Sequence, residues 1–263
     1  MSDHRPVGVF DSGLGGLSVL LSLYGTLPDE SFIYYADSAW CPYGSKSMAE
    51  VRERTFRITR FLMDKGAKAI VVACNTATAA AIDDLRASFP IPFIGIEPAI
   101  KQAALHTRSG KVGVLATRNT FQGRLFMETS ARFANDKDLH IQPGDGLVEI
   151  VEEDRIATPE ARQLLLSYIT PMIEAGVDQI VLGCTHYPFL IPEIRAMVPD
   201  DVIIHDPSPA VARQTKHILE DNGLLNKASS HQDLFFTSGD TRMMEQMLIR
   251  LGMRSIHAKQ VIL

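Results

Sequence analysis

The chain has 263 residues, 46% hydrophobic and 22% charged, with a formal net charge of −5. That is enough chain for a full core in an ordinary globular protein, and the acidic total speaks against a nucleic-acid partner or an anionic membrane surface. Three cysteines stand far apart, at Cys41, Cys74 and Cys184, which excludes a disulfide framework or a metal knuckle, so no metal site is expected.

Short apolar runs alternate with amphipathic segments. Strands are predicted at 7–10, 31–36, 69–73, 93–96, 111–116, 179–182, 202–204 and 234–237. Several are continuously apolar, as expected of strands covered on both faces. Helices are predicted at 48–65, 76–88, 159–175, 209–222 and 241–251, one of them framed by Thr158-Pro159-Glu160 and Gly176. The opening MSDHRPVGVF has no signal-peptide core, and the apolar stretch 67–82 is broken by Asn75, Thr76 and Thr78. A cytoplasmic protein with reduced thiols and no membrane contact is therefore expected.

Strand–helix alternation predicts an α/β fold with mainly parallel sheets. An internal echo refines it. Val112 of VGVLATR follows Val7 of VGVFDSG by 105 positions, and Cys184 follows Cys74 by 110. Two similar α/β domains are expected, each a parallel sheet flanked by helices, related by pseudo-twofold symmetry and facing one cleft. The expected boundaries are 1–97 plus 208–263 for the first domain and 98–207 for the second.

Ligands of open α/β sheets bind beyond the carboxyl ends of strands. Asp11-Ser12, Asp37, Cys74-Asn75-Thr76, Thr117 and Cys184-Thr185-His186 all fall at such ends. Any one alone reads as a helix cap or a packed core residue; together they converge on a gap with a cysteine on each side. A helix following each cysteine would offer free amides to a thiolate or a substrate carboxylate. Two chemistries remain open, thiol redox exchange and acid–base work from two sides of one carbon. In the second, Asp11 would serve Cys74, and Glu152 or His186 would serve Cys184. The turn DSGLGG partly fits a dinucleotide fingerprint, with Asp37 about 20 residues on. Ser18 occupies its third glycine position, however, and a tight turn against a small ligand is the preferred reading. Cys41 reads as an incidental loop thiol.

Four stretches, GVFDSGLGGLSV, YYADSAWCPYG, VVACNTATA and LGCTHYP, together resemble the glutamate racemases of the aspartate/glutamate racemase superfamily, over about 7–251. The resemblance implies a cofactor-independent racemase interconverting L- and D-glutamate, the D form feeding peptidoglycan synthesis. It implies Cys74 and Cys184 as the two acid–base groups, with Asp11, Glu152 and His186 in support. Glu152 is placed by its VEE match, with Glu149 and Glu153 as alternatives. Substrate contacts implied are Asp11, Ser12, Asp37, Tyr43, Gly44, Asn75, Thr76, Thr185 and His186, with Thr117 and Thr120 for a carboxylate. Glutamate is the implied small-molecule partner, and a homodimer is expected at the family level. Some members carry an N-terminal activation segment, for which the residues before Val7 offer little material. No lysine suggests a pyridoxal Schiff base, so no cofactor is expected. An aspartate-acting relative and a non-catalytic dicarboxylate-binding protein are the rivals.

Overall fold

In the computed structural model, which describes residues 2–227, 232–253 and 257–263, the chain opens with β1 (Val7–Asp11), α1 (Leu17–Thr26) and β2 (Phe32–Ala36). It continues through α2 (Met48–Asp64), β3 (Ala69–Val72), α3 (Asn75–Ser88) and β4 (Phe93–Gly95). Next come α4 (Ile100–His106), β5 (Lys111–Ala116), α5 (Arg118–Gln122), α6 (Arg124–Phe133), β6 (Asp138–Pro143), α7 (Leu147–Glu152), α8 (Pro159–Glu174) and β7 (Gln179–Gly183). The last part holds α9 (Ile191–Arg195), β8 (Ile203–His205), α10 (Ser208–Asp221), β9 (Leu234–Thr237), α11 (Thr241–Arg250) and β10 (Ala258–Gln260).

The strands form a six-stranded sheet, β10-β9-β2-β1-β3-β4, and a four-stranded sheet, β6-β5-β7-β8, with every neighbouring pair parallel. The order β2-β1-β3-β4 is repeated as β6-β5-β7-β8. Register repeats too: Val7 lies opposite Ala69 in the first sheet, and Val112 opposite Gln179 in the second. These pairs carry the same sequence offsets as the echo, so Cys74 and Cys184 leave equivalent strands of two copies of one topology. After β8 the chain returns, β9 and β10 extending the first sheet.

β1, β2, β3 and β7 are buried at every position, which explains why they read as continuous apolar runs. Phe10, Tyr34 and Tyr35 are wholly inaccessible, and burial of each such side chain contributes about 1.5–3 kcal/mol. β6 and β10 have no counterpart among the predicted strands. β6, DLHIQP, is an edge strand half open to solvent and therefore carries no apolar run. α8 starts where its cap signals place it, with Thr158 Oγ1 accepting the Ala161 N–H at 3.2 Å. Among the described residues, no helix is long and apolar enough to cross a membrane.

Candidate active site

Parallel strands deliver their carboxyl ends to one edge, where the next helix must begin, and both cysteines sit on such edges. β3 runs through Ala73 into Cys74, whose side chain caps α3: Sγ accepts the Ala77 N–H at 3.4 Å. Burial pushes this thiol well up, and the nearby Asp11 carboxylate adds to the rise, while the Ala77 N–H and Ser12 pull the other way. Cys74 therefore rests protonated. Asp11, at the end of β1, is itself fully buried. Its Oδ2 accepts from the Gly16 N–H at 2.9 Å and the Gly13 N–H at 3.3 Å, and its Oδ1 accepts from Thr185 Oγ1 at 3.2 Å. Burial raises this carboxyl too, against the pull of His186 and the Gly16 N–H.

The second cysteine is built differently, and one expectation needs correcting. No α-helix starts at Cys184; a short 3-10 turn, Tyr187–Leu190, follows, and helix amides of the kind that reach Cys74 are replaced by a side-chain relay. Cys184 Sγ lies 3.7 Å from His186 Nδ1, and His186 Nε2 lies 2.6 Å from Glu152 Oε1. Burial alone pushes the imidazole down, but its contacts with Cys184, Cys41 and Glu152 outweigh that and hold it well above the usual histidine range. These contacts favour the protonated ring, which is set between a thiol and a carboxylate. Of the three glutamates weighed from the sequence, Glu152 is the one in contact.

The glycine-rich turn has a purpose the sequence did not disclose. A Cβ on Gly15 would lie 2.4 Å from His186 Nδ1, and one on Gly13 would lie 2.2 Å from Glu152 Oε1. The Leu14 N–H donates to the same Glu152 oxygen at 2.5 Å. DSGLGG is therefore the seat into which the second half of the molecule presses its His186–Glu152 pair. The close approach that glycine permits here is to side chains rather than to a nucleotide.

Between the two thiols is a nearly closed cavity of about 10 Å³, lined by Ser12, Pro42, Tyr43, Gly44, Cys74, Asn75, Thr76, Thr117, Val148, Gly183, Cys184, Thr185 and His186. That is room for about one water, so the walls stand closed around the two thiols. None of the lining residues is Lys or Arg, so an anion there meets hydroxyls, amides and the His186 ring. Asn75 points to a ligand most directly. It is 5% exposed, and its amide nitrogen and oxygen have no partner among the described residues. A buried amide left unpaired costs about 1–3 kcal/mol, so such a group calls for an explanation, and a polar ligand in the cavity supplies one.

Not every expected contact lines the cavity. Asp11 and Glu152 stand behind the thiol groups rather than on the wall. Thr120 is also set back, its hydroxyl 2.9 Å from that of Thr117, which in turn is 3.0 Å from Thr76. Asp37 is the clearest departure. Its carboxylate accepts from Arg54 at 2.6 and 2.9 Å, Ser238 at 2.9 Å and Tyr43 Oη at 2.6 Å. Fully buried and fully engaged, it acts on the cavity only through Tyr43. Cys41 needs correction as well: the supposed incidental thiol lies within 4.8 Å of a His186 ring nitrogen and a Glu152 carboxylate oxygen, and burial pushes it up to about 12.

Residues 22–215 match the Asp/Glu/Hydantoin racemase family. A glutamate racemase of Pseudomonas putida (strain F1) is 50% identical over 244 residues, 92% of each chain. The chain belongs to the glutamate racemase family. Among solved structures, glutamate racemase isoform RacE1 from Bacillus anthracis aligns with a TM-score of 0.90 at 33% identity, covering 99% of this chain and 98% of that one. Escherichia coli glutamate racemase, in complex with L-glutamate and the activator UDP-MurNAc-ala, gives 0.86 at 33% identity, covering 98% and 99%. Membership carries the racemase class with it, and the two-domain α/β fold is shared with these relatives.

Proposed function

We propose that this chain interconverts L- and D-glutamate by passing the α-proton to one thiol and returning a proton from a second, Cys74 on one face of the carbon and Cys184 on the other. The observation that carries this reading is the placement of both sulfur-bearing side chains on the wall of one small cavity. Glutamate as substrate draws support from the Escherichia coli relative, whose structure holds the L enantiomer. The product D-glutamate would serve peptidoglycan synthesis in the cytoplasm. The reading takes 1–97 plus 208–263 and 98–207 as the two domains and pairs the chain as a homodimer.

Taking a proton from an amino-acid α-carbon leaves a carbanion next to the carboxylate, so the site must exclude water and present donors to that carboxylate. Asn75 and the hydroxyls of Ser12, Thr76, Thr117 and Thr185 supply neutral donors in an enclosed space. One thiol, as its anion, takes the α-proton while the other, protonated, delivers one to the opposite face. Asp11 is placed to exchange a proton with Cys74, and His186, steadied by Glu152, with Cys184. The abstracted proton passes from carbon to one sulfur, the delivered proton from the other sulfur to carbon, and the scheme invokes no cofactor.

Incubating the purified chain with L-glutamate and, separately, L-aspartate, with no cofactor added, tests this reading by optical rotation. We expect glutamate to decay to the racemate and aspartate to keep its rotation. Unchanged glutamate would sink the proposal.

A further inference from the structure

Cys41 has no part in the proton path above, yet three donor atoms from distant points of the chain meet beside it. The Cys41 sulfur, a Glu152 carboxylate oxygen and a His186 ring nitrogen all lie within 4.8 Å of one another. Among the described residues, no other trio of His, Cys, Asp and Glu donors comes so close together. Each is held by a separate part of the fold. The Cys41 N–H is tied to the Ser38 carbonyl at 3.3 Å, Glu152 ends α7 and takes the Leu14 N–H, and His186 follows β7. Cys41 and Glu152 are partly exposed, which gives an ion a way in from solvent.

We propose that Cys41, Glu152 and His186 form a binding site for a zinc-class divalent ion, and that filling it stops turnover. A thiolate and an imidazole select zinc-like ions over magnesium or calcium, which prefer all-oxygen ligands. The thiolate and the carboxylate together neutralise the two positive charges, and three protein donors leave the remaining position to water. On binding, the Cys41 thiol and the His186 ring each give up a proton to solvent, and the sulfur and nitrogen lone pairs pass to the ion. An ion with bonds of about 2.1 Å keeps tetrahedral ligand atoms about 3.4 Å apart. The 2.6 Å His186–Glu152 contact must therefore open as the ion enters. The ion thus takes from Cys184 the pair that serves it. This inhibitory half rests on Cys184 being a working thiol; the binding half does not.

The test uses the purified full chain titrated with cobalt(II), whose thiolate-to-metal absorption reports a sulfur ligand without any turnover. We expect that band in the wild type, in Cys74→Ala and in Cys184→Ala, and its loss in Cys41→Ala and in Cys41→Ser. Cys41→Ser keeps the side-chain volume, so a packing defect in the alanine variant does not decide the matter. In the racemisation assay, zinc should inhibit the wild type and a chelator should restore it, magnesium should do nothing, and Cys41→Ser should need at least about tenfold more zinc for the same inhibition. A band that requires Cys41 in a chain that leaves glutamate unchanged upholds the site while refuting the racemase reading. No thiolate band in the wild type, a band that survives in both Cys41 variants, or one that vanishes with Cys184 would overturn the proposal.

Discussion

The two sides of the cavity are alike in topology and unlike in chemistry. On the Cys74 side the thiol is served from its own sheet, by the Ala77 N–H of the helix it caps, by Ser12 and by Asp11. On the Cys184 side a turn replaces the helix, and a histidine–glutamate pair takes its place. The repeated topology thus fixes where the cysteines sit and leaves open how each is managed. Each side also depends on the other. Asp11, behind Cys74, accepts from Thr185 of the second sheet's loop, while Glu152, behind His186, accepts from the Leu14 N–H of the first. Neither thiol's support is complete within one half of the molecule.

If the sides are different but equally necessary, removing either sulfur should be the most damaging change. We expect Cys74→Ala and Cys184→Ala each to lower kcat by at least about 10³-fold, within the usual reach of a positioned acid–base group. Steady-state rates in both directions read this out, and near-normal turnover in one variant would show that one face works alone.

A smaller effect probes the crossing contact. Gly15→Ala places a methyl 2.4 Å from His186 Nδ1, and the ring is too enclosed to move freely. We expect a loss of stability of about 1–3 kcal/mol from overpacking, together with about 10²-fold in kcat/KM as the ring leaves Cys184. Gly25→Ala, in α1 with nothing within 4 Å of the added methyl, is the matched control. It should leave turnover alone and stabilise by roughly 0.5–1 kcal/mol. Denaturant melts and initial rates on the two variants separate the seat from a generic helix-breaking glycine.

The smallest effect is on pH. His186 gains its partners on folding and is raised above its unfolded value of about 6.5, so its contribution to stability is fully present below that pH. It is lost as pH climbs through the raised folded value. The wild type should therefore lose its melting-temperature advantage over His186→Gln as pH rises from 6 upward. An advantage that grows with pH would mean that the ring is neutral in the folded protein.

Most of the frame was legible from apolar runs, because fully buried parallel strands such as β1, β3 and β7 must be apolar on both faces. β6 was not, since an edge strand can carry DLHIQP without cost to the core. The cysteines were legible for the same reason as the strands they end, and the repeat offsets made them a pair. What remained hidden was everything set by contact across the cleft. No spacing rule brings 41, 152 and 186 together, so Cys41 read as incidental. The glycine turn was read as facing a ligand because its neighbours in space, His186 and Glu152, are far away in sequence. Asp37 stands at a strand end like the other candidates, and only the position of Arg54 one helix later reveals that its carboxylate is already engaged.

The two-thiol claim meets its most direct test in heavy water, by following early in the reaction where deuterium enters as L-glutamate is consumed. With different thiols on the two faces, the delivering sulfur carries solvent deuterium while the abstracting sulfur holds the substrate's proton. We expect D-glutamate to be fully deuterated at the α-carbon while the remaining L-glutamate keeps its hydrogen. Deuterium entering the L-glutamate pool as fast as it enters the product would mean that one group serves both faces, and would contradict the assignment of Cys74 and Cys184 to opposite sides.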